Sequence, residues 1–238
     1  MSSSTPAVSV IIPTLNEAQR LAGTIAAVRA SLPRAEIIVA DGGSSDRTVE
    51  LAGLAGATLV RAPRGRGLQC HAGATAASGD ILFFLHADTT PPADAADIIH
   101  RMFARDAVRL GTFRLAFDST DWFLRACAWF SRLDSVFTRF GDQGIAIRRS
   151  FYAEIGGFPP WPLFEDVELL RRARRVTRVW SFPGAVTTSA RRFHRCGAFA
   201  QQLLNARLLL RFLLGTPPET LAREYRPEPA SIPQSRSP

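Results

Sequence analysis

The sequence predicts an α/β fold, a mostly parallel sheet flanked by helices and followed by a helical C-terminal cover. Three observations predict it. Ile81–Leu85 is a run of five large apolar residues between Gly79 and the Pro91-Pro92 pair, the pattern of a strand buried on both faces. Two more apolar runs, Val8–Pro13 and Glu36–Asp41, each lead into a segment of helical periodicity or a capping sequence. Polar, acidic and glycine residues gather just beyond each of these strands, where open α/β sheets collect ligands.

Taken in order, Val8–Pro13 is a first buried strand. Thr14-Leu15-Asn16-Glu17 turns into a helix, with Asn16 as its N-cap, Gln19 at the third position, and Leu21, Ile25, Val28 and Leu32 as the apolar stripe. Glu36–Asp41 is the second strand. The following Gly42-Gly43 lets backbone approach a ligand, and Ser44, Ser45 or Asp46 caps the next helix. Thr58–Arg61 is a short third strand. The helix reaching Ser78 is rich in Ala and Gly and must pack closely. Beyond Pro92 come a helix to about Arg105, a strand over Val108–Phe117 and an amphipathic helix over Asp121–Phe140 with Arg125, Arg132 and Arg139 on one face. That helix is read as packed on the domain with its arginines in water, a membrane-surface position being the alternative. Ile145–Arg148, Arg178–Pro183 and Ala185–Ala190 read as strands. Ala198–Leu214 reads as a helix apolar on nearly every side, broken only by Arg207 and Arg211, that packs on the domain, covers a lipid-like acceptor or touches a membrane.

Bulk properties narrow the class. The 238 residues, 46% hydrophobic, suit one domain over 1–215 with a Pro-rich tail, 216–238, at least partly disordered. No apolar segment approaches the roughly 20 residues that span a bilayer. Met1–Pro6 has neither the basic start nor the apolar run of a secretory signal, and Cys70, Cys127 and Cys196 form neither a zinc pattern nor a complete disulfide set. A cytoplasmic setting is therefore expected, with the inner face of the membrane as a further possibility. The net charge of +8 comes from 29 basic residues that are all arginine, and it favours anionic partners. Nucleic acid is the weakest of these, because no recognition motif accompanies the charge.

Several residues carry chemistry. His86 and Asp88 leave the end of the central strand one residue apart, on one face, where an imidazole and a carboxylate can hold a divalent cation bridging a diphosphate. Asp41 can accept hydrogen bonds from a base or ribose, or stabilise its own turn. Arg64-Gly65-Arg66-Gly67 at a helix start suits phosphate. Glu165-Asp166 opens another helix, where the macrodipole keeps carboxylates ionised. Arg191-Arg192 can clamp a diphosphate, and His194 lies near them in the chain.

Together, Val8–Glu17, Glu36–Thr48 with Asp41-Gly42-Gly43-Ser44-Ser45-Asp46, Arg66–Gly73, Gly79–Asp88, Gly156-Gly157-Phe158 and Glu165–Leu169 resemble the family 2 glycosyltransferases. His86-Ala87-Asp88, Gly141-Asp142-Gln143-Gly144 and Thr188–Arg192 are similar to a small bacterial subgroup labelled arsenosugar-biosynthesis glycosyltransferases. The resemblance implies a Rossmann-like GT-A fold and inverting, metal-dependent transfer from a nucleoside-diphosphate sugar to a hydroxyl acceptor. It implies Pro13, Thr14, Asn16, Glu17, Asp41, Gly67 and Gln69 around the nucleotide, and Arg66, Arg191 and Arg192 at the diphosphate. Asp88 and His86 would hold Mg²⁺ or Mn²⁺. Asp142, Gln143 and Trp161 would meet sugar or acceptor, and Asp166, beside Glu165, would be the base. Two departures stand out: His86 occupies the first acidic position of the usual Asp-x-Asp, and His71 stands where the family often has Asn. A sugar-phosphate nucleotidyltransferase and a non-catalytic binding protein on the same fold are the alternatives. The first lacks its glycine-rich signature after the first strand. The second gains if Asp166 is buried in a salt bridge away from Asp88.

Overall fold

In a computed structural model, which describes residues 5–130, 141–191 and 197–225, the apolar run beginning at Ile81 lies at the middle of an eight-stranded sheet. The strands are β1 (Val8–Thr14), β2 (Glu36–Asp41), β3 (Thr58–Arg61), β4 (Ile81–Phe84), β5 (Thr89–Thr90), β6 (Leu110–Phe117), β7 (Ile145–Arg148) and β8 (Trp180–Thr188). Their spatial order is β3-β2-β1-β4-β7-β6-β8-β5. The first four run parallel; β7 is antiparallel to both β4 and β6, β8 is parallel to β6, and β5 is antiparallel to β8. The sheet is therefore mixed, with its parallel half formed by β3, β2, β1 and β4.

Alternation along the strands divides the core. Val10, Ile12 and Phe83 pack with α1 (Leu21–Ser31) and α4 (Ala95–Phe103) on one face. Ile11, Leu82 and Phe84 face α3 (Arg66–Ala76) and α7 (Glu165–Arg174) on the other. Close packing of α3 is enforced at Gly73, where a Cβ would stand 2.5 Å from Ile11 Cγ2. Helices α2 (Thr48–Leu54) and α6 (Arg149–Glu154) complete the flanks.

A third apolar cluster builds the cover. Leu208 of α8 (Ala198–Leu213) and Leu221 of α9 (Pro218–Glu224) close on Leu163, joined by Phe164, Phe212 and Tyr225. Part of the expected Pro-rich tail is thus a packed helix: Pro218 supplies a preset φ at its start, and Leu221 is fully buried. Residues 226–238 lie outside the described residues.

Two local expectations are corrected, and a third is described over part of its length. Asn16 does not cap α1, which starts at Leu21; it sits in the left-handed region (φ 57°), its N–H donates to Ser44 Oγ (2.9 Å), and its Oδ1 accepts from Ser45 N–H (2.8 Å). These bonds tie the loop after β1 to the loop after β2, a long-range pairing no local pattern reveals. The two strands expected around Gly184 are one, β8, irregular in its pairing with β6 and passing Gly184 at φ 85°. The helix expected at Asp121–Phe140 is described as α5 (Trp122–Phe130), capped by Asp121 Oδ1 on Phe123 N–H at 2.8 Å. Only Leu124 of α5 is buried, and Arg132 and Arg139 lie outside the described residues.

Phe83 is fully buried and stacks 5.5 Å from Phe113 across the sheet. Phe83→Ala should lower unfolding free energy by about 3–5 kcal/mol in urea titration. A loss below about 1 kcal/mol would show that this strand is not the core's centre.

Candidate active site

The carboxyl ends of β1 and β4 open into a cavity of about 790 Å³, roofed by α8 and by Tyr225, which follows α9. Topology concentrates the site there. Because β5 pairs with the end of β8, with Thr89 opposite Thr188 and their hydroxyls 3.0 Å apart, Asp88 is brought beside Ser189 and Arg191. Asp118 Oδ1 accepts from Ala190 N–H at 2.6 Å and fixes that turn.

Of the residues singled out by sequence, Pro13, Thr14, Glu17, Arg66, Gln69, His86, Asp88, Asp142, Gln143, Glu165, Asp166 and Arg191 line this cavity. Arg66 is the hub. Its Nε lies 3.1 Å from Glu165 Oε1, and its Nη1 lies 3.4 Å from His86 Nε2. Glu165 holds the guanidinium firmly charged; burial pushes the Glu165 carboxyl up while Arg66 draws it down. Burial, with Arg66 opposite, drives His86 down to about 3, so the ring is neutral and its Nε2 faces a guanidinium. Of the His86–Asp88 pair, Asp88 is the better-disposed anionic ligand.

Asp166 opens α7 and is held by main chain. Gly141 N–H donates to Oδ2 at 2.5 Å and Val167 N–H to Oδ1 at 2.7 Å. Gly141 must be glycine for this approach, since a Cβ there would stand 2.9 Å from Asp166 Oδ2. The residue before the helix, Phe164, adopts φ 61° and is braced by Phe212, ring centroids 5.0 Å apart. Asp142 follows Gly141 in a 3-10 turn (Gly141–Gln143). Burial pushes its carboxyl up to about 7, Asp166 adding to the rise, and its buried Oδ1 has no hydrogen-bond partner among the described residues.

Other expected residues have different surroundings. Asp41 is buried, and its carboxylate accepts from Gly43 N–H and Ser44 N–H at 2.9 Å each and from the Ser44 and Thr14 hydroxyls. That gives it the turn-stabilising role. Asn16, as above, ties two loops. Gln69 lines the cavity but donates through Nε2 to Thr14 O (2.6 Å) and Ala40 O (3.0 Å), clamping β1 to β2. Gly67 allows α3 to touch the loop before α7, for a Cβ there would lie 2.3 Å from Pro159 O. Trp161, expected as an exposed stacking surface, is half-buried with its ring 5.9 Å from Phe212, because α8 has packed onto its loop. Arg192 and His194 lie outside the described residues. His71 sits on the far side of α3, against the Tyr152 hydroxyl at 3.3 Å.

Sequence reading missed one wall. Gln201, Gln202 and Asn205 of α8 line the cavity, Gln201 Nε2 donating to Asn205 Oδ1 at 2.8 Å. Their spacing, i, i+1, i+4 in an otherwise apolar helix, was the available signal, and it contradicts the reading of that helix as broken only by arginines. Leu115, Phe117, Cys127 and Phe130 complete this apolar and amide-bearing half.

A divalent cation fits the donor set in one way. Among the described residues no three His, Cys, Asp or Glu side chains converge as a cage. Asp88 offers a carboxylate, and Asp142 carries an unsatisfied buried oxygen in the same cavity. This suits a hard cation that completes its shell with ligand phosphates and water.

Comparison with known proteins gives the family. Residues 9–153 match the Glycosyl transferase family 2 pattern, and the chain belongs to that family. A 4,4'-diaponeurosporenoate glycosyltransferase of Staphylococcus haemolyticus is 33% identical over 114 residues, 44% of this chain and 30% of the relative. An uncharacterized glycosyltransferase of Mycobacterium tuberculosis is 38% identical over 93 residues, 39% of this chain and 40% of the relative. The alignments thus span less than half the length of either relative. Among solved structures, glucosyl-3-phosphoglycerate synthase from Mycobacterium tuberculosis, in complex with Mn²⁺, UDP and glucosyl-3-phosphoglycerate, superposes with a TM-score of 0.61 at 20% identity, over 89% of this chain and 81% of that one. S. aureus TarS 1–349 in complex with UDP gives 0.62 at 15% identity, over 77% and 60%. The fold is the GT-A type shared with these enzymes.

Asp142 supplies a pH signature. Its folded value, about 7, stands above the ordinary 3.8, so it supports the fold when protonated, and that support is lost as pH rises from about 4 to about 7. Asp142→Asn should raise the melting temperature of the metal-free protein more at pH 8 than at pH 5. An equal change at both would show a carboxyl ionised throughout.

Proposed function

We propose that this protein transfers a sugar from a nucleoside-diphosphate sugar to a hydroxyl acceptor with inversion at the anomeric carbon. The observation that carries the reading is the meeting of Arg66, Asp88 and Asp166 in one cavity at the carboxyl ends of parallel strands. Pro13, Thr14 and Glu17 border the nucleoside end. Arg66 and Arg191 bind the diphosphate, and Asp88, with Asp142 nearby, holds Mg²⁺ or Mn²⁺. That cation, when bound, offsets charge on the leaving diphosphate.

Asp166 acts as general base. Its carboxylate takes the acceptor hydroxyl proton as that oxygen bonds to the anomeric carbon, while the bond from that carbon to the diphosphate oxygen breaks and the nucleoside diphosphate leaves. Main-chain hydrogen bonds at the start of α7 keep the base aimed. A non-catalytic role fits less well, because Asp166 shares the cavity with Asp88 and is held by amides. Gln201, Gln202 and Asn205 present amides to the acceptor, and the apolar wall beside them favours an acceptor with hydrophobic surface. Gln143 borders the transferred sugar.

Thermal unfolding against a panel of nucleoside diphosphates, with Mn²⁺ or EDTA, tests donor binding. At about a hundredfold excess over Kd the matching diphosphate should raise the melting temperature by roughly 5–10 °C. The shift should vanish in EDTA and in Asp88→Ala. UDP is the first to try, since both solved neighbours described above carry it. No shift with any diphosphate would sink the proposal.

Asp166→Asn should keep that shift and lower the transfer rate by about 10²–10⁴-fold. Retained activity would assign the base elsewhere.

A further inference from the structure

α8 is apolar on two faces. Its inner face carries Leu208 and Leu209 toward the cavity, while its outer face presents Phe199, Leu203, Leu210 and Leu213 to solvent. These four fall on one stripe, spaced four, seven and three residues apart, along a helix about 24 Å long. α5 continues the surface: Phe123 touches Phe199, ring centroids 6.0 Å apart, and Trp122, Trp129 and Phe130 are exposed, Trp122 at 78%. Eight of the ten large apolar side chains exposed among the described residues belong to α5, α8 and the adjoining Leu214. Scattered exposure needs no explanation, but this concentration does.

We infer that this face docks on an anionic lipid bilayer, lying in the headgroup region with the cavity mouth beside it. Charge selects the partner. α5 and α8 carry Arg125, Arg207 and Arg211 and no acidic residue, within a chain of net charge +8. The counter-charges beside them are Glu224 of α9, which pairs with Arg207 and Arg211 at 3.7 and 2.6 Å, and Asp121, which caps α5. A second copy pairing stripe to stripe would instead bring arginines toward arginines. Exposed tryptophans beside arginines match the interfacial zone of a bilayer, where indole bodies are buried and guanidinium groups reach phosphate. Among the described residues no helix is long and apolar enough to cross a membrane, so the contact is peripheral. Cys127 of α5 and Gln202 and Leu209 of α8 line the cavity, and Phe130 borders both the cavity and the exposed face, so the same two helices join the bilayer face to the site.

Vesicle flotation tests this without reading catalysis, so it succeeds or fails separately from the transferase proposal. The protein should float with vesicles of phosphatidylcholine containing about a third phosphatidylglycerol, less with phosphatidylcholine alone, and less as salt rises. Leu203→Glu with Leu210→Glu should weaken flotation about tenfold or more at unchanged melting temperature. Should that variant unfold, tryptophan emission decides. A blue shift on adding anionic vesicles should be present in the parent and lost in Trp122→Phe with Trp129→Phe. Absence of both flotation and blue shift overturns the inference. So does a dimer in light scattering that Leu203→Glu dissolves, which would assign the stripe to a second copy.

Discussion

The site depends on a crowded balance of charge. Asp88, Asp142, Glu165 and Asp166 surround one cavity, and Arg66 is the cation that touches their group most directly, through Glu165. Burial, with Asp166 and Asp88 nearby, pushes the Asp142 carboxyl up to about 7. The same arrangement makes the cavity receptive to added positive charge, and the Arg66 fork makes it receptive to phosphate. Stability and ligand affinity are set against each other at this point, as expected where function tolerates local strain.

Much of this was legible in the chain. The buried strand at Ile81–Leu85 and the residues following it located the site because hydrophobic patterning and strand-end chemistry are local properties. Asp166 was singled out only through the family resemblance, because two acidic residues at a helix start read by themselves as ordinary capping. What sequence could not show was long-range hydrogen bonding. Asn16 has a capping side chain and stands before a helical stripe, yet its partners are Ser44 and Ser45, 28 and 29 residues away. Asp41 could be read either as meeting a ligand or as holding its own turn, and the bonds it makes to that turn depend on how the loop after β2 closes. Trp161 failed for a different reason: its burial depends on where α8 comes to rest, and that is decided by the cluster of Leu163, Leu208 and Leu221.

The family match and the cavity do not have the same extent. Residues 9–153 include β1, β2, β4 and the Gly141–Gln143 turn, which build one side of the cavity. The opposite wall comes from α7, α8 and Tyr225, beyond the matched range. The part of the molecule matched by the family pattern thus ends before the amide and apolar wall of α8 begins.

Main-chain anchoring of Asp166 has an evolutionary consequence. A carboxylate oriented by the amides of Gly141 and Val167 takes its bearings from groups that nearly every substitution leaves in place. The wall opposite it is made of side chains on a helix that carries none of those amides. Mutations on α8 can therefore reshape the cavity while the carboxylate keeps its aim, so the shape of the wall and the orientation of Asp166 can diverge independently.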